Sequence, residues 1–101
     1  MITATTLYLM LLTNYNLQPT EAATLTCIAI AESNLNTQAV HYNESNDTFD
    51  YGLFQINQVH IGTLTHSSND LMGVNQNIRI AVKIYLRDGF EAWSTYKKCG
   101  G

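Results

Sequence analysis

A chain of 101 residues is long enough for one core and too short for two, so a single compact domain, residues 1–101, is expected to hold any active site within that core. A hydrophobic fraction of 46% against 13% charged, with no repeat or low-complexity run, argues against disorder. The net charge of −3, with only five Lys and Arg, gives no basic stripe for a polyphosphate backbone and argues against a nucleic-acid partner.

The first predicted element is a helix over residues 3–13. Its apolar run Leu7–Leu12 is too short to cross a bilayer and no cation precedes it, so neither a membrane span nor an ordinary signal peptide is expected. The stretch NYNLQP at 14–19 breaks the pattern, and Thr20 followed by Glu21 reads as the start of a second helix over about 20–33. Ala22, Leu25, Ile28 and Ala29 fall at helical spacing. At about 100° per residue Glu32 lies about 40° from Ile28 and about 20° from Leu25, at the end of the apolar stripe, whereas Cys27 points about 140° away.

Residues 39–58 change character. Two stretches with β-formers flank an Asn, Glu, Ser and Asp-rich centre, which predicts a hairpin or three-stranded sheet with polar turns. Residues 60–70 read as a loop with at most a short helix, and Asn69 or Asp70 as the cap of the next helix. That helix, over 74–87, has Val74, Ile78, Ala81 and Tyr85 on one stripe and Gly89 in the place of a C-terminal cap. A last short helix, FEAWSTY, carries the only tryptophan, Trp93. Helices with one small sheet make an α+β fold.

Chemistry begins with Glu32. A carboxylate on an apolar stripe loses hydration when buried, which raises its pKa and suits it to donate a proton; the plain reading is an acid at a helix end that bends into solvent. Cleavage of a glycosidic bond needs such an acid and usually a second carboxylate on the other side of the sugar. Asp50, directly before YGLFQIN, is the candidate for the second group, with Glu44 and Asp47 of the turn as reserves. His41, His60 and His66 have no metal-ligand spacing and are expected to be exposed polar residues, and no metal or cofactor is expected. Cys27 and Cys99 stand outside any CxxC pattern. They form either a long-range disulfide, implying an oxidising destination such as a cell exterior, periplasm or virion surface, or two buried thiols.

The stretches ESNLNTQAV and DYGLFQIN together resemble the segment of animal-type lysozymes that runs from the catalytic Glu to the catalytic Asp. They also share the Glu-Ser and Gly-Leu-x-Gln-Ile pattern of lytic transglycosylase domains. The stretch NIRIAVKIYLRDGFEAWSTY resembles the helix and aromatic segment that closes the same fold, above all in compact bacterial and phage versions. The resemblance covers about residues 20–99. It implies a lysozyme-like fold, mostly helical, with a small antiparallel sheet flanking a cleft.

The implied activity is a muramidase that hydrolyses the β-1,4 bond between N-acetylmuramic acid and N-acetylglucosamine in peptidoglycan, in a cell-wall-degrading role and with no cofactor. Glu32 would be the general acid and Asp50 the nucleophile or stabiliser. Gln55 and Asn57 would line the sugar cleft, with Asn57 touching an N-acetyl group, and Trp93 would pack beside Glu32 and contact substrate. Gln55 has a plainer reading, in which its amide only satisfies backbone groups. Cys27 and Cys99 match positions resembling a disulfide-forming pair.

Three departures stand out. The chain lacks the long cysteine-rich segment that follows Asn57 in animal-type enzymes. It is acidic where many relatives are basic, so attraction to an anionic wall is expected to be absent, and delivery by a larger virion or wall-associated assembly would compensate. The Glu32–Asp50 connection is also one residue longer than the animal pattern. The rivals to hydrolysis are a lytic transglycosylase that leaves 1,6-anhydro ends and a non-catalytic glycan-binding module on the same scaffold.

Overall fold

The computed structural model describes residues Met1–Gly101. Helix α1, Ala4–Tyr15, starts where Thr3 accepts the amide of Thr6 at 3.1 Å, and it ends at Asn16, whose left-handed φ of 54° lets it close the last turn. Its buried residues, Leu7 and Leu11, are one turn apart. Helix α2, Pro19–Ser33, begins one residue earlier than Thr20 implies. Pro19 occupies the first helical position, where no donor is needed, and Glu21 accepts the amide of Gln18 at 2.8 Å. The stripe Ala22, Leu25, Ile28 and Ala29 is fully buried as expected.

Strands β1 (Val40–Asn43), β2 (Thr48–Tyr51) and β3 (Ile56–Asn57) form an antiparallel sheet in that order. The register pairs His41 with Asp50 and Asp50 with Asn57, so these three side chains share one face. The opposite face carries Val40, Tyr42, Phe49 and Tyr51, with the Tyr42 and Phe49 rings 5.1 Å apart and both exposed.

Between β2 and β3 the chain makes a buried turn, Gly52–Gln55. A Cβ on Gly52, whose φ is +76°, would stand 2.5 Å from the amide nitrogen of Asn77 and 2.7 Å from the carbonyl of Leu71. That crowding comes from Asn77 itself. Its side chain, 1% exposed, accepts from the Phe54 amide at 2.9 Å and donates to the carbonyls of Tyr51 at 2.8 Å and Leu71 at 2.7 Å. Leu53 and Phe54, with no exposed surface, anchor the turn to the core.

A short 3-10 helix, Gln58–His60, leads into the loop before helix α3, Ser68–Met72. Asn69 and Asp70 lie inside α3 and do not cap the next helix. Ser67 caps α3, Asp70 accepts from the Thr65 hydroxyl and the His66 amide, and Gly73 is the N-cap of α4, Val74–Asp88. Gly89 ends α4 as expected, its amide bonding to the carbonyl of Tyr85 at 2.8 Å. The C-terminal segment is two 3-10 helices, Phe90–Ala92 and Ser94–Cys99, rather than one helix.

The second of these packs on α2, and the Cys27–Cys99 disulfide joins them with Cα atoms 5.9 Å apart, which settles the pairing over two free thiols. No helix is long and apolar enough to cross a membrane.

Candidate active site

A cleft of about 360 Å³ opens between the end of α2, the sheet, α4 and the C-terminal segment. All five residues singled out for chemistry or substrate contact, Glu32, Asp50, Gln55, Asn57 and Trp93, line it.

Glu32 sits in the last turn of α2 and is half-buried. Burial pushes its carboxyl above the ordinary carboxylate range, and the charge of Asp50 pushes the same way, while a hydrogen bond from Thr95 and the charge of Lys98 oppose it. The Thr95 hydroxyl donates to Glu32 Oε2 at 2.7 Å. Ser33, next in sequence, donates to the carbonyls of Ala29 and Leu53, at 3.1 and 2.7 Å, and so ties the end of α2 to the buried turn.

Asp50 comes from the sheet. Asn57, its cross-strand partner, donates an amide hydrogen to Asp50 Oδ1 at 2.8 Å and another to the Thr48 hydroxyl at 3.0 Å, while its own carbonyl oxygen accepts the Val59 amide at 3.0 Å. The NH2 group of Asn57 is therefore used within the sheet, half of it on Asp50, while the residue lines the cleft. The longer connection from Glu32 does not displace Asp50: it faces the cleft, whereas Asp47 stays at the exposed hairpin tip, where it accepts from the Tyr42 hydroxyl at 2.7 Å.

Trp93, 6% exposed, donates its indole N–H to the Phe54 carbonyl at 3.0 Å and packs against the Phe54 ring at 6.0 Å. It is both core and cleft wall. Gln55 lies in the turn and not on a strand, with φ of 50°, and its amide donates to the carbonyls of Ala39 and Gly52 at 3.1 and 3.0 Å. It lines the cleft while its NH2 group serves the backbone, in keeping with its plainer reading. Cys27 and Cys99 lie outside the cleft lining.

The sequence model of the lysozyme-like domain family matches residues 11–95. The chain belongs to that family. It is 38% identical to Lysozyme 1 of Musca domestica over 88 residues, covering 75% of this chain and 62% of that protein. With Lysozyme P of Drosophila melanogaster the identity is 36% over 93 residues, 80% of this chain and 66% of the relative, so the chain spans slightly less than two thirds of both relatives. Among solved structures it is similar to a lysozyme from Litopenaeus vannamei, with TM-score 0.81 and 28% identity over 99% of this chain and 88% of that one.

Within this lysozyme-like domain, sequence reasoning misses three residues that shape the cleft. Thr95 is separated from Glu32 by 63 positions and carries no periodic signal. Asn77 does carry one: it lies at the spacing of Ala81 and Ile84, an amide on an apolar stripe. His60, expected to be an exposed polar residue as His41 and His66 are, is half-buried and lines the cleft near Asp88. Burial and the charge of Arg87 hold its pKa below the ordinary histidine range, against Asp88.

Proposed function

We propose that this lysozyme-like domain is a muramidase that hydrolyses the β-1,4 bond between N-acetylmuramic acid and N-acetylglucosamine. The observation that carries the reading is the pairing of two unlike carboxyl groups in one cleft: Glu32, half-buried with its pKa raised, and Asp50 on the opposing sheet. The names of the animal lysozymes to which the chain is similar support the same activity and substrate.

In this reaction Glu32 gives its proton to the glycosidic oxygen as the bond from that oxygen to the sugar C1 breaks, and the departing sugar leaves as an alcohol. Asp50 stabilises the cationic sugar or attacks C1. Water then adds at C1, displacing the Asp50 carboxylate wherever it has bonded to that carbon, and the Glu32 carboxylate takes the proton that the water loses. Asn57 keeps Asp50 pointed at that carbon. Residues 1–101 act as one catalytic domain. The disulfide supports an extracellular, periplasmic or virion-borne location, with delivery by a larger assembly as one route.

Mass spectrometry of muropeptides released from purified peptidoglycan, with Glu32→Gln as control, tests the reading. Reducing ends are expected. Products carrying 1,6-anhydro ends would instead mark a lytic transglycosylase and leave Asp50 a structural residue. Equal, negligible release by both proteins would leave a glycan-binding module.

A further inference from the structure

His60 lines the cleft but takes no part in the proposed reaction. It closes the 3-10 helix Gln58–His60 on the sheet side, and Ile84 and Asp88 of α4 line the cleft with it. Its backbone is fixed: the carbonyl accepts the amides of Thr63, Leu64 and Thr65 at 3.3, 3.0 and 3.3 Å and the Thr63 hydroxyl at 3.2 Å. The imidazole is half-buried, and neither ring nitrogen has a partner within the protein, so both reach solvent.

The charged groups that face this imidazole come from two elements. On α4, Arg87 opposes a charged ring and Asp88 favours it, and the two are committed to each other through hydrogen bonds at 2.9 and 2.7 Å. On β2, which packs against the 3-10 helix, the charged residue is Asp50, held by Asn57. The loop Ile61–Thr65 that folds back on the His60 carbonyl carries no titratable group, and His41, beyond Asp50 on β1, is exposed. The carboxylate whose charge reaches His60 is thus already paired. Burial and Arg87 prevail, and the pKa lies below the ordinary histidine range.

We infer that His60 makes strand binding proton-linked: a glycan seated in the cleft covers the neutral imidazole, and uptake of a proton there weakens its hold. This rests on the proposed muramidase reading, which supplies the strand. A sugar ring against His60 displaces the water that would hydrate an imidazolium and brings no charge in return. It does bring hydroxyl and N-acetyl groups. These can donate to one ring nitrogen and accept from the other only while the imidazole is neutral, because an imidazolium donates from both. Bound strand and bound proton therefore oppose one another. With the strand in place His60 has a lower pKa than in the empty cleft, so affinity is full above the empty-cleft value and falls as pH drops through it. Glu32 acts only with its proton and His60 holds the strand best without one, so the two confine the domain to a pH window from opposite sides.

The experiment is calorimetric titration of the Glu32→Gln protein with N-acetylglucosamine oligomer from about pH 8 to about pH 5, a range above the ordinary aspartate titration. The probe is uncharged and Glu32 no longer titrates. Kd is expected to rise about fivefold on acidification, and binding on the acid side of that range to release protons, counted by repeating the titration in buffers of different ionisation heat. Adding His60→Gln should abolish the rise, whatever the affinity at the alkaline end, whereas His41→Gln should leave it in place. The ring-proton resonance of His60, followed by NMR against pH, should report a lower pKa in the saturated protein than in the free one.

A Kd that does not change with pH, an equal rise in the His60→Gln protein, or a His60 pKa that the oligomer leaves unchanged or raises overturns the inference while leaving the muramidase reading intact. Absence of binding at every pH, by contrast, removes the strand itself, and the muramidase reading falls together with the linkage.

Discussion

The two walls of the cleft each present a carboxyl group, and they hold it in opposite ways. On the α2 side Glu32 is set against apolar packing with one hydroxyl donor, which leaves burial as the dominant influence on its proton. On the sheet side Asp50 is gripped by an amide whose remaining groups are bonded to Thr48 and Val59. A carboxyl in the last turn of a helix faces unpaired carbonyls and the negative end of the helix dipole, which do nothing to stabilise its charge. A sheet instead supplies cross-strand partners in fixed register, so it is suited to aiming a group. One wall sets acidity and the other sets direction.

The comparison predicts a graded series of effects. The largest is on the acid itself: Glu32→Gln is expected to lower muropeptide release by a factor on the order of 10²–10⁴, the range for loss of a general acid, while circular dichroism stays unchanged. A folded Glu32→Gln protein with wild-type release would remove the distinction between the walls. Next comes aim. Asn57→Ala leaves Asp50 without its amide donor and should cost about tenfold in kcat with little change in KM, the scale of one charge-assisted hydrogen bond.

Thr95→Val should act differently, because it removes a hydrogen bond that favours the ionised acid. The Glu32 pKa then rises further, so the basic limb of the pH–rate profile moves to higher pH while the rate well below that limb changes little. A fall in rate at all pH values with the limb unmoved would reassign Thr95 to packing.

The smallest effect is on stability. Glu32 has a folded-state pKa above its unfolded value, so its contribution is present below the ordinary carboxylate pKa and is lost as pH rises through the raised value. Glu32→Gln should therefore melt slightly higher than the parent protein at neutral pH, with the gap closing as pH falls to about 4. A gap that widens on acidification would contradict burial as the dominant cause.

Much of this architecture is legible in residue order. The stripe of α2, the hairpin around its polar turn and the Gly89 stop of α4 each follow from local periodicity or cap chemistry. Glu32 stands out for the same reason, as a polar group on an apolar stripe, and the same rule applied to α4 finds Asn77. Pairing at a distance is not legible in that way. Thr95 reaches Glu32 only because the C-terminal segment folds back on α2, and Asn57 meets Asp50 only because of strand register. The two hydroxyl residues Thr48 and Thr95 look like any other polar side chain until the chain has closed.

The disulfide gives the fold a topology beyond its pairing. Glu32, Asp50, Asn57, Trp93 and Thr95 all lie between Cys27 and Cys99, within a covalent ring closed across 72 positions. A protease that nicks the exposed hairpin tip at Glu44–Asp47, or the exposed loop at Gly62–Thr63, opens that ring and releases nothing. The two fragments remain tethered through sulfur, each carrying one wall of the cleft after a cut at the tip, and the walls keep the means to close on each other again.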